Sequence, residues 1–179
     1  EVDVYRMLAI VDNTEVTTNL SGPGASFTLN AGEFLLAHEG SNKNIIRFQP
    51  GTLGDTTTGT ESILVAGNDI DIGQNIHAIE LIEEATELGE VTLQPGQILL
   101  ALKADDAAVG DAPTVAVTKF DIFVLDVTKT GVGISEATAT LLFEGADVNL
   151  DNGGKEDIWG LSLYASNQAP DAADVTFNL

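Results

Sequence analysis

The sequence predicts an all-β protein made of internally repeated antiparallel strand meanders, arranged like propeller blades or as a sandwich and completed by strand exchange between subunits. Three observations support this prediction: a stretch that recurs at a constant spacing, short apolar runs bounded by turn residues, and a repeat that is incomplete at both ends of the given sequence. Apolar residues make up 44 % of the 179 residues, which is enough to build a core.

One block of sequence occurs twice. Residues 27–37 (FTLNAGEFLLA) recur as residues 91–101 (VTLQPGQILLA), 64 positions later. In both copies, apolar and Thr-rich runs flank a tip with a glycine, which is the pattern of a β-hairpin whose glycine supplies a positive φ. Residues 175–179 match the start of the block.

A second series of matches extends the block into a larger unit. The matched pairs are 44–48 with 121–125, Gly54 with Gly131, 62–65 with 139–142, Gly67 with Gly145 after one inserted residue, and 76–81 with 158–163. Residues 5–10 align with the last pair. The chain therefore divides into a partial repeat at 1–43, a complete repeat at 44–120 and a truncated repeat at 121–179, within a single all-β domain.

The matched runs predict about five short strands per unit. Apolar residues on either side of Glu80 predict a strand with one wet face, whereas the continuous apolar run 122–125 predicts a strand covered on both faces. Two segments fall outside the repeat. Residues 79–88 carry four glutamates with apolar residues near helical spacing before Gly89, which allows a helical turn. Residues 103–113, rich in Ala, Asp and Gly, predict a surface loop.

The charge excludes some classes of partner. Twenty-eight acidic residues against 7 basic ones give a net charge of −21, which repels nucleic-acid backbones and anionic membranes. No apolar stretch is long enough for a membrane helix, so we expect no membrane insertion. There is no cysteine, and the first residue is Glu1 rather than Met, which indicates a removed leader or an excised fragment. We expect an extracellular or cell-surface location.

The sequence gives no support for catalysis. His38 and His77 are its only histidines, and we expect the first in a solvated turn and the second on a wet strand face. Ser135 lacks the second glycine of a nucleophile elbow. Trp159 is expected to pack in a core. We therefore predict a protein that is not an enzyme and has no organic cofactor.

One string suits a cation. Asp147, Asn149 and Asp151 alternate, so their oxygens could converge on a calcium ion. An EF-hand would place glycine where Asn152 stands and glutamate where Ile158 stands. The alternative is a strand that ends in an Asn/Gly turn without a metal.

The same region carries a family resemblance. Residues 145–150 (GADVNL) followed by 156–158 (EDI) resemble the tandem repeats of secreted bacterial surface proteins, whose usual form is Asp-Gly-Ser-Asp-Val-Gly-Leu and then Glu-Asp-Ile-Asp. The resemblance covers roughly residues 44–82 and 121–164, and it implies units shaped like the blades of a β-propeller. The earlier copy departs from the pattern, with Gln74 and Asn75 where the acidic pair would stand.

Two functions fit these observations. The first is an extracellular structural protein that forms a filament or surface layer with copies of itself, each subunit completing its neighbour by β-strand complementation. The alternative is a secreted cell-surface binding module for glycan- or calcium-dependent adhesion. The repeat that is cut at both ends favours the first.

Overall fold

The computed structural model describes residues 6–10, 16–17, 27–38, 41–152 and 157–163, with the backbone alone for the first two ranges. The match at 175–179 and the Glu156 position of the family resemblance lie outside the described residues. Within these ranges the protein is all-β, with antiparallel strands, two 3₁₀ turns and no α-helix.

Two four-stranded sheets dominate the structure. Sheet 1 has the strand order β1-β4-β5-β6, with bounds Arg6–Ile10, Phe34–Ala37, Ile45–Thr52 and Thr58–Val65. Sheet 2 has the order β7-β10-β13-β14, with bounds Ile76–Leu81, Ile98–Leu102, Ile122–Lys129 and Glu136–Phe143. The boundaries of the two sheets therefore differ from those of the sequence units 1–43, 44–120 and 121–179.

Three two-stranded hairpins complete the described strands. They are β2 (Val16–Thr17) with β3 (Thr28–Leu29), β8 (Thr86–Leu88) with β9 (Val91–Leu93), and β11 (Asp106–Val109) with β12 (Val115–Val117). The second hairpin replaces the helical turn allowed at 79–88, so that interpretation was wrong: cross-strand pairing with β9 outweighs the near-helical spacing of the apolar residues.

The prediction of a surface loop at 103–113 was also wrong in part. It contains β11, whose Val109 is fully buried, and the backbone N–H of Asp111 donates to the carbonyl of Ala137 on β14. The segment therefore extends the core beside sheet 2 instead of lying loose on the surface.

The two sheets pair their strands in matching registers. Phe34 lies opposite Phe48 in sheet 1, and Ile98 lies opposite Leu125 in sheet 2. These are the positions that the spacings of 64 and 77 residues equate. Likewise Ile10 of β1 lies opposite Phe34, and Leu81 of β7 lies opposite Ile98.

A 3₁₀ turn follows the last strand of each sheet. The turns span Gly67–Ile70 and Gly145–Val148, and each ends at a residue in the left-handed region, Asp71 (φ 57°) and Asn149 (φ 62°). A Cβ at Gly67 would overlap the carbonyl oxygen of Lys43, and a Cβ at Gly145 would overlap that of Phe120. Both glycines are therefore required by a close approach of two backbones.

The main core lies between the two sheets. Sheet 1 contributes Leu35, Ala37, Ile45 and Val65, which we call its core face. Sheet 2 contributes Ile79, Leu81, Ile98, Leu100, Phe123 and Leu125, which we call its core face. Because side chains alternate along a strand, the remaining positions form an outer face on each sheet.

The two core faces are not equivalent to each other. In sheet 2 the core face holds Ile98 and Leu125, whereas their counterparts in sheet 1, Phe34 and Phe48, lie on the outer face. The two sheets therefore stack head-to-tail, with unlike faces in contact. β7 of sheet 2 packs against β1 and β4 of sheet 1.

Candidate interaction site on the outer face of sheet 2

The outer face of sheet 2 is apolar. Leu99 and Val124 are direct cross-strand partners, 4 % and 5 % exposed, and they form a second buried cluster with Ile82 and Leu93. Ile122 and Leu142 are partly buried against this cluster. The continuous apolar run 122–125 predicted coverage on both faces, and this cluster accounts for its second face.

A cavity of about 450 Å³ opens on this face. Its lining is mainly apolar and comprises Leu88, Gly89, Val91, Leu99, Ile122, Leu142, Phe143, Leu161, Ser162 and Leu163. A concave apolar surface of this kind excludes water from whatever fills it, which favours an apolar occupant.

Residues 157–163 lie across the outer face of sheet 2. The side chains of Leu161 and Leu163 pack against the cluster around Leu99 and Val124, yet the segment belongs to no described strand. The sequence aligns Leu161 and Leu163 with Ile79 and Leu81 of β7, which pack in the main core between the sheets. The segment thus occupies on sheet 2 a position like that of β7 on sheet 1.

Polar contacts hold this segment in place. The backbone N–H of Leu163 donates to Oε1 of Glu80 over 3.3 Å, and Nζ of Lys119 lies 2.7 Å from Oδ1 of Asp157. Burial raises the pKa of the Glu80 carboxyl, the N–H of Leu163 opposes that rise, and the charge of Glu83 adds to it. The carboxyl of Glu80 is therefore a titratable group that contacts residues 157–163.

His77 and Trp159 contact each other at the edge of this site. Their ring centroids are 4.4 Å apart, with an interplanar angle of 31°. His77 is 1 % exposed, so the predicted wet-face position was wrong: the segment carrying Trp159 covers that side of β7. Trp159 is 64 % exposed, so the prediction of core packing was wrong as well.

The residues predicted to hold calcium lie on the surface after β14. Asp147 is in the second 3₁₀ turn, Asn149 follows it in the left-handed region, and Asp151 lies in the next turn; all three are exposed. Backbone contacts shape the region, since the N–H of Asn152 donates to the carbonyl of Asn149. In the described part of the chain, no cluster of three or more His, Cys, Asp or Glu is arranged to hold a metal. The calcium site stays a prediction.

Other polar groups serve the fold. His38 is partly exposed, and its Nε2 lies 3.3 Å from Oε2 of Glu61. The hydroxyl of Ser135 donates to the carbonyl of Gly131 and accepts from the N–H of Ala66, so it ties sheet 2 to the end of sheet 1. This buried hydroxyl is held by the backbone of both sheets and has a structural role.

Comparisons with protein-family models, curated proteins and solved structures give no match. Across the described ranges, no helix has the length and apolarity needed to cross a membrane.

Proposed function

We propose that the protein is a non-enzymatic extracellular structural subunit that joins copies of itself head-to-tail by β-strand complementation, in a filament or a surface layer. In this proposal the two sheets are copies of one four-stranded unit, and residues 158–163 are the first strand of a third unit. The observation that carries the proposal is the placement of Leu161 and Leu163 on sheet 2, at positions aligned with Ile79 and Leu81.

Backbone hydrogen bonding supplies the reason for assembly. The equivalent strands β1 and β7 pair with β4 and β10, whereas residues 158–163 lie outside the described sheets. A segment outside a sheet can pair its backbone with a strand of another chain, and the N–H of Leu163 would exchange its contact with Glu80 for such pairing. Because β4 is already paired with β1 and β5 within the chain, assembly in our proposal displaces β1, and the segment takes its place beside β4 of the next copy.

The geometry of this contact sets the type of assembly. A donor segment on one copy and an acceptor strand on another make a heterologous contact, which closes into a ring or continues as a filament. We favour the filament. At a net charge of −21 the copies repel one another, so we expect assembly to strengthen with ionic strength, which screens that repulsion.

A pair of substitutions in the full chain tests the proposal. Changing Leu161 and Leu163 together to Asp should leave the protein monomeric, because the donor segment loses its apolar anchors. The control is Ser162→Asp, which adds one negative charge at the exposed position between them and should leave assembly intact. Electron microscopy and light scattering report the outcome, and circular dichroism checks the fold. If the double variant assembles like the unaltered chain, the proposal is wrong.

The alternative function is a cell-surface binding module. The exposed ring of Trp159 favours it, since aromatic faces with a polar edge commonly contact ligands. Here the unaltered chain would be a monomer that binds glycans, and Trp159→Ala would abolish that binding.

A further inference from the structure

We infer that the outer face of sheet 2 is the docking site for the outer face of sheet 1 of a second copy of this chain. This inference rests on the proposed self-assembly and names the two surfaces that meet. The strand complementation described above would place the incoming sheet on this same face.

The receiving surface is the outer face of sheet 2. Leu99, Val124, Ile122 and Leu142 form it. Leu99, Ile122 and Leu142 also line the cavity of about 450 Å³. Leu99 is equivalent to Leu35 of sheet 1, which is fully buried in the main core. This face of sheet 2 therefore corresponds to the face of sheet 1 that the other sheet covers within the chain.

The incoming surface is the outer face of sheet 1. It carries Phe34, Leu36, Phe48 and Ile63, which are partly exposed, around Ile46, which is 3 % exposed. None of these side chains belongs to either of the two buried clusters of the described residues. Phe34 and Phe48 contact each other with ring centroids 6.1 Å apart, and both are partly exposed. Such a run of neighbouring apolar side chains is typical of a protein–protein contact.

The contact between the sheets of one chain supplies the template. Within the chain, Ile98, Leu100, Phe123 and Leu125 of sheet 2 share the main buried cluster with the core face of sheet 1. Their counterparts in sheet 1 by register are Phe34, Leu36, Ile46 and Phe48. An apolar surface with the same layout as the one that seals the core is thus available to seal the equivalent face of sheet 2.

The contact between the two sheets of one chain also indicates that a second copy occupies the outer face of sheet 2. Unlike faces meet within the chain, so each copy carries one surface of each kind and can take part in two contacts. Sheets from successive copies would continue the stack that sheets 1 and 2 begin. A self-complementary contact of two equal faces would stop at a dimer instead.

Two variants that each disable one surface test the inference. The first changes Phe34 and Phe48 to Glu on the outer face of sheet 1, and the second changes Ile122 and Leu142 to Glu on the outer face of sheet 2. Each should raise the concentration needed for assembly at least about tenfold, since apolar anchors dominate such contacts. Mixing the two should give one-to-one dimers, because each variant still carries the surface that the other lacks.

Controls and a second readout keep the test independent of folding. Leu53→Glu and Val132→Glu lie in the exposed hairpin turns of the two sheets, 64 % and 70 % exposed, and should assemble like the unaltered chain. The chain has no cysteine, so Phe48→Cys and Ile122→Cys each introduce a single thiol. On mild oxidation, a mixture of these two should give a covalent dimer containing one copy of each.

The outcomes separate the inference from the proposed function. If the unaltered chain stays monomeric at every concentration, both are wrong. If it assembles while either glutamate variant assembles equally well, the docking surfaces are wrong but strand complementation stands. Covalent dimers formed by one cysteine variant alone, as readily as in the mixture, would indicate contact between equal faces and would also overturn the inference.

Discussion

The charged cluster at the edge of sheet 1 gives the most quantitative prediction. Glu33 is 7 % exposed in its side chain, and its two carboxylate oxygens accept from the guanidinium of Arg47 over 2.8 and 2.6 Å. The side-chain amides of Gln49 and Asn30 also donate to this carboxylate. Changing Glu33 to Gln would keep the shape of the side chain, remove its charge and leave Arg47 without its counter-ion.

The pKa of Glu33 sets the size of the effect. Burial alone would raise that pKa, but the hydrogen bonds from Arg47, Gln49 and Asn30 outweigh burial and lower it from 4.5 to about 2. A pKa difference of this size between the unfolded and folded states corresponds to about 3 kcal/mol of folding free energy. Because the folded pKa is the lower one, this stability is present above pH 4.5 and is lost as the pH falls towards 2.

Urea unfolding of the unaltered chain and of Glu33→Gln at several pH values measures this contribution. We expect the variant to be less stable by about 3 kcal/mol at pH 7, a loss of roughly 6–12 °C in melting temperature for a chain of this size. The difference should shrink by about half at pH 3. The control is Glu136→Gln, which breaks the surface ion pair with Lys129, both side chains being nearly half exposed, and should cost less than about 1 kcal/mol. If the loss of folding free energy caused by Glu33→Gln is the same at pH 3 as at pH 7, the explanation by the Glu33 carboxylate is wrong.

Three further predictions concern Glu80, the two glycines of the 3₁₀ turns, and calcium. Burial raises the pKa of Glu80, so the protonated carboxyl contributes to folding stability below pH 4.5, and this stability is lost as the pH rises. Glu80→Gln removes the buried charge, so it should raise the melting temperature at pH 7 and have no effect at pH 4. Gly67→Ala and Gly145→Ala should each destabilise the protein by roughly 1–3 kcal/mol through overlap with a carbonyl oxygen, whereas Gly160→Ala, with no atom within 4 Å of the added Cβ, should be neutral by thermal melting. If calcium binds, a chelator should lower the melting temperature, and Asp151→Ala should remove that sensitivity; identical melting curves would leave the Asn/Gly turn as the explanation.

Much of the fold follows from local patterns in the sequence. The all-β class was confirmed, because short apolar runs between Gly, Asn and Asp residues are strong local signals. Gly54 and Gly131, which the sequence alignment pairs, have φ angles of 114° and 112°. The alternation around Glu80 marked a real strand, since Ile79 and Leu81 are buried while Glu80 is only partly so.

Other features depend on contacts that one sequence does not reveal. The inserted residue was placed near Gly67, but Ile63 lies opposite Ile46 and Leu141 lies opposite Phe123, so the extra residue falls in the hairpin turn before β14. Apolar strands give no local signal of which neighbour covers them. That is why the outer face of sheet 2, the buried position of His77 and the role of Leu161 and Leu163 emerged only from packing.

Hydrogen exchange on residues 158–163 shows whether these residues pair with a strand of a neighbouring copy. Exchange would be compared between the dilute monomer and the assembled protein, with the amides of β10 as the internal reference for a strand already paired on both sides. We expect the amides of 158–162 to become protected on assembly, because they pair with β4 of the next copy after β1 is displaced, while β10 stays protected in both states. Assembled protein in which the amides of 158–162 exchange as fast as in the monomer would contradict strand complementation.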